Sequence, residues 1–72
     1  MAELKRSITV AGHRTSISLE PEFWQMLQKL AQERGKPMAA LVGDIDKLRG
    51  ERNLSSALRV WILDQLTNVR RD

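Results

Sequence analysis

The chain alternates apolar and polar residues on both sides of Ala11, Gly12 and His13, and the alternation changes phase between the two sides. Before the break the apolar positions are even, Ile8 and Val10 alternating with Ser7 and Thr9. After it they are odd, Ile17 and Leu19 alternating with Ser16 and Ser18. A strand sends successive side chains to opposite faces, so no single regular strand can keep all four apolar residues on one face. Residues 11–13 must absorb one position. Gly12 permits this in two ways, as a bulge in one long strand or as the tip of a tight hairpin, and the pattern fits both. On the bulge reading Ser7, Thr9, Arg14, Ser16 and Ser18 share one polar face.

Three helical signals follow. Pro21 is a good first residue for a helix, and Phe23, Met26, Leu27, Leu30 and Ala31 recur at the spacing of one buried stripe, closed by Gly35 and Pro37. Met38, Leu41, Val42, Ile45 and Leu48 repeat the pattern up to Gly50, with Gly43 as a weak point. In the third segment Asn53 or Ser55 can cap, and Leu54, Ala57, Leu58, Val60, Trp61, Ile62, Leu63 and Leu66 cover most of the helix circumference. The expected fold class is therefore α+β, mostly α: an N-terminal β-ribbon over about 5–10 and 13–19, then helices over about 21–34, 38–49 and 54–68. With short loops and no internal repeat, the expectation is a single domain over 1–72 with flexible ends at 1–4 and 70–72.

A chain of 72 residues buries only about 60% of its unfolded surface. It has no cysteine, so neither a disulfide nor a thiolate metal site can reinforce so small a core. Association can. An isolated strand or hairpin is marginal in water and its free edge invites another chain, and a third helix apolar on nearly every side needs covering. The expectation is an intertwined homodimer with an intermolecular antiparallel ribbon and a shared core of Ile17, Leu19, Phe23, Leu27, Leu58, Trp61 and Ile62. Ile17 and Leu19 then face the helices while Arg14, Ser16 and Ser18 point outward.

Net charge is +3, and it is unevenly spread. Lys5, Arg6 and Arg14 outweigh Glu3 in the first 19 residues, whereas residues 20–69 are neutral. A basic N-terminal segment on a neutral body suits an anionic partner, above all nucleic acid. The opening "MAELKRSITV" lacks the apolar core of a signal peptide, and no run approaches the roughly 20 apolar residues that span a membrane. A cytoplasmic protein without a membrane partner is the expectation.

The order of strand, Pro-initiated helix, Gly-ended turn and further helix in "RTSISLEPEFWQMLQKLAQERG", "PMAALVGDID" and "NLSSALRVWILDQL" resembles the ribbon-helix-helix superfamily of DNA-binding repressors. The combination of "KRSITVAGHRTSISLEPEFW" with "NLSSALRVWIL" is similar to a bacterial subfamily of small ribbon-helix-helix proteins without an assigned cellular role. The likeness covers about residues 5–67, and the third helix is a departure, since the superfamily usually has two helices per chain. It implies a sequence-specific, double-stranded-DNA-binding homodimer, a transcriptional repressor or autoregulator whose ribbon enters the major groove. By strand register it implies base contacts from Arg14, Ser16 and Ser18, of which Arg14 has the most discriminating chemistry because a guanidinium gives guanine two hydrogen bonds. Lys5 and Arg6 would reach flanking phosphates, and Ser7, Thr9 and His13 are further candidate contacts. Two helix starts, one at Lys36 and one at Asn53, Ser55 and Ser56, offer free amides and a partial positive charge to a phosphate.

A competing class is a protein-interaction or dimerisation module, antitoxin-like or a scaffold, whose helix 54–66 docks a partner protein. Enzymatic chemistry has no candidate residues. The single histidine sits in a turn, and Asp44 and Asp46 are two apart on a helix and do not share a face. No phosphate loop, metal-spaced cluster or cofactor motif is present. Trp24 and Trp61 lie on apolar helix faces, as packing residues do.

Overall fold

The structure, a computed structural model, describes residues 4–68. Its elements are β1 (Leu4–Val10), β2 (His13–Leu19), α1 (Pro21–Glu33), α2 (Met38–Leu48) and α3 (Leu54–Asn68). Helix and strand bounds lie within a residue or two of those the periodicity predicts. Of the ends expected to be flexible, residue 4 opens β1, and residues 1–3 and 70–72 lie outside the described residues.

The phase change is a hairpin. Val10 pairs with His13, and the two residues between them, Ala11 at φ 52° and Gly12 at φ 81°, both have positive φ. That is the type I′ arrangement, whose twist matches the strands it joins. Every cross-strand pair couples an even position to an odd one, which is why the apolar parity flips at the turn. Lys5, Ser7 and Thr9 lie opposite Ser18, Ser16 and Arg14 on one face; Arg6, Ile8 and Val10 lie opposite Ile17, Thr15 and His13 on the other. The ribbon is thus built within one chain along one edge of β2, where the sequence reading placed a second copy. β1 can substitute because its "SITV" mimics the "SISL" of β2, with Ser7 directly across from Ser16. Ala11 is a poor residue for positive φ, at a penalty of about 1–2 kcal/mol. Ala11→Gly is expected to raise stability by about 1 kcal/mol, read as a melting point several degrees higher.

The inner face of the ribbon rests on the helices. Val10, Ile17 and Leu19 join Leu27, Leu30 and Ala31 of α1, Leu41, Val42 and Ile45 of α2, and Ala57, Leu58 and Ile62 of α3 in one buried cluster. The weak point Gly43 lies under the hairpin: a Cβ there would meet Val10 Cγ1 at 3.6 Å. That is ordinary van der Waals distance, so the packing of α2 beneath the ribbon tip does not itself require glycine. At the end of α1, Gly35 (φ 66°) closes the helix with Lys36 N–H donating to Ala31 O and Gly35 N–H to Gln32 O, the Schellman pattern. α3 begins where Asn53 Oδ1 accepts from Ser56 N–H at 2.8 Å, an N-cap worth about 1 kcal/mol. No helix among the described residues is long and apolar enough to cross a membrane.

Candidate nucleic-acid interface

The outward face of the hairpin carries six side chains in two rows: Lys5, Ser7 and Thr9 on β1, Arg14, Ser16 and Ser18 on β2. All are exposed except Ser18, which is half-buried. Two are cationic, four bear hydroxyls and none is acidic, so the face offers donors and positive charge to an anion and hydrogen-bonding groups to base edges.

Helix α3 holds the ribbon by its second strand. Ser55 Oγ accepts from Ser18 N–H at 2.9 Å, and Arg59 donates to Ser18 O at 3.1 Å and to Glu20 Oε1 at 3.0 Å. Both backbone groups of Ser18 on the outer edge of β2 are therefore satisfied by α3, which leaves Arg14 and Ser16 to present that edge. Between this edge and the turn from α2 to α3 runs an open groove of about 770 Å³ that collects Ser16, Ser18, Asn53 and Ser55 beside Arg59 and the ion pair of Arg49 with Asp46. The helix start at Asn53 thus adjoins the ribbon.

Ribbon, outward polar face and helix start match a known pattern: the model of the ribbon-helix-helix domain fits residues 4–66. The chain belongs to the ribbon-helix-helix family. No curated protein and no solved structure matches it. Ribbon-helix-helix domains are in general DNA-binding, dimerising regulatory modules without enzymatic activity. Among the described residues of this one, no group of three or more histidines and carboxylates is placed to hold a metal ion.

Within this ribbon-helix-helix domain the other residues singled out by sequence take varied positions. Arg6 turns inward, opposite Ile17, with its guanidinium 4.3 Å from the centre of the Trp24 ring and its Nε buried without a partner. Lys36 is paired with Asp44 of α2. His13 is exposed at the turn. Ile17, Leu19, Leu27, Leu58 and Ile62, assigned by sequence to a shared dimer core, are fully buried inside the single chain, with Phe23 and Trp61 packed at the margin. All three aromatic residues are roofed by an arginine, since Arg34 lies 5.1 Å from the Trp61 centroid and Arg59 5.9 Å from Phe23. Stacking on bases is not what these rings are arranged for.

Arg59 is the residue that sequence reading missed. It looks like one more charge on a helix, yet it positions the ribbon, and the only local signal is that it falls one turn after Ser55 on the same side of α3. The hydrogen bond from its own backbone amide, and then the Arg59 guanidinium, hold the Glu20 carboxyl below its usual value of 4.5; Lys36 similarly lowers Asp44. A depressed carboxyl stabilises the fold above its ordinary pKa and ceases to do so as pH falls through the folded value. Stability is therefore expected to decline below about pH 4.5. Glu20→Gln should flatten that decline in a series of melting points taken across pH.

Proposed function

We propose that the protein is a sequence-specific DNA-binding repressor of the bacterial cytoplasm, acting as a homodimer on a short, near-palindromic operator and silencing genes, its own included, by occlusion. The observation that carries this reading is the acid-free outward face of the ribbon. Two strands about 4.8 Å apart fit a major groove about 12 Å wide, so the hairpin itself is of the right size to enter. Arg14, Ser16 and Ser18 read base edges, with Ser7 and Thr9 alongside and His13 at the tip. Lys5 takes a flanking phosphate. The start of α3 at Asn53, Ser55 and Ser56 is the better placed phosphate clamp because it is bonded to the ribbon, and the Lys36 start, paired with Asp44, is the second.

Selection of bound sequences from random DNA is expected to return a short motif in two inverted halves. Binding to that motif should weaken with salt at a log–log slope of about −0.9 per phosphate neutralised. No retention at low salt, or affinity indifferent to salt, would sink the proposal. A protein-interaction module is the second reading, favoured by the uncovered apolar side chains of α3; on that reading the selection returns nothing.

A further inference from the structure

The outward face of the hairpin is nearly two-fold symmetric although one chain forms all of it. An axis through the Ser7–Ser16 pair carries Lys5 onto Arg14, Ser7 onto Ser16 and Thr9 onto Ser18, so each strand presents a cation, a serine and a second hydroxyl in that order. A ribbon made from one strand of each of two copies has such a face because the copies are identical. Here β1 takes the place of the second copy.

Three observations make that substitution complete. The hairpin already has the width of the groove: a further pair of strands added by a copy would set the outermost strands about 14 Å apart, wider than a major groove of about 12 Å. The outer edge of β2 is also partly closed to such an addition, because Ser55 Oγ accepts from Ser18 N–H and Arg59 donates to Ser18 O. Finally, the support comes from the same chain. Val10, Ile17 and Leu19 on the inner face lie in one buried cluster with residues of all three helices, so the hairpin is seated by its own helices.

We infer that one chain is a complete DNA-reading head: its own hairpin fills the major groove over one half-site and its own α3 start takes the adjoining phosphate, so that a homodimer carries two heads rather than sharing one. The symmetry is imperfect where it matters for reading. Arg14 gives guanine two hydrogen bonds, whereas its symmetry mate Lys5 is a point charge suited to a phosphate, so the head enters each half-site in one orientation. Assigning each half-site to one chain rests on the DNA-binding reading above and goes beyond it.

The deciding measurement is a titration of one half of the selected motif, as a short duplex, at concentrations well above its dissociation constant. The equivalence point is expected at one duplex per chain, whether or not the chains are themselves paired, and the salt slope should be half that on the whole motif, because half as many phosphates are neutralised. A cross-link tests the same point from within the chain. Ser7 and Ser16 lie directly across the two strands, and such partners sit about 4.5–5.5 Å apart at Cα, within the span of a disulfide. The chain has no cysteine of its own. The double variant Ser7→Cys, Ser16→Cys, oxidised within one chain and still 8.2 kDa under denaturing conditions, should bind the whole motif within about tenfold of its own reduced form. Three results would overturn the inference while leaving DNA binding itself standing: an equivalence point at one half-site duplex per two chains, no binding to the half-site by a chain that binds the whole motif, or a loss of more than about tenfold on oxidation. A wild-type chain that binds neither DNA would sink both readings.

Discussion

Leu58→Ala is expected to lower the free energy of unfolding by about 3–5 kcal/mol, enough to leave a large fraction of the protein unfolded at 37 °C. Leu58 has 0% exposure and sits on α3, the helix that also holds β2 and packs on α1 and α2. Deleting its isobutyl group loses the transfer free energy and leaves a cavity walled by a β-ribbon and two other helices, which cannot all close in together. The loss should appear as a lower urea midpoint at nearly unchanged slope. It should also be largely independent of protein concentration, because the residues that bury Leu58 belong to its own chain. A destabilisation that vanished as concentration rose would show instead that this side chain is covered by a second copy.

Arg14→Ala carries the second large effect. Arg14 is exposed at the open edge of β2 and makes no contact that the fold depends on, so the variant should melt within about 0.5 kcal/mol of the parent. Its affinity for a selected operator should fall by about 1–3 kcal/mol, five- to a hundred-and-fifty-fold, with most of the loss confined to DNA carrying the preferred base at one position of each half-site. Lys5→Ala gives the contrast: affinity declines by a similar factor on every sequence, and the salt slope shrinks by about 0.9 per copy in contact. Titrations of operator and scrambled DNA at several salt concentrations separate the two patterns. Equal losses from Arg14→Ala on both DNAs would make Arg14 a phosphate contact and move base reading to the serines.

Much of the architecture is legible in the chain because it is local. Helix stripes, the Gly35 and Pro37 stop and the cap at Asn53 depend on residues within a turn or two of one another. Legibility fails where side chains meet across long separations. Arg6 reads as a surface base, but the hairpin register opposes it to Ile17 and turns it inward onto Trp24. The broad apolar girth of α3 announces burial without saying by what; this chain fills one half, and Val60, Leu63 and Leu66 on the other are exposed.

The choice between bulge and hairpin was open for a comparable reason. The usual hairpin dipeptide pairs asparagine or aspartate with glycine. With alanine first, the turn is tolerated rather than favoured, and it is the pairing of the flanking strands over the helices that selects it. The sequence by itself determined the alternation along each strand, with Ser7 and Thr9 in one polar row and Arg14, Ser16 and Ser18 in the other; the hairpin register sets the two rows side by side on one face. Only the tertiary structure decided that β1 completes the ribbon and that α3 grips it. The bonds from Ser55 and Arg59 to Ser18 span 37 and 41 residues, and pairings at that distance are set by how the whole core closes, not by any pattern along the chain.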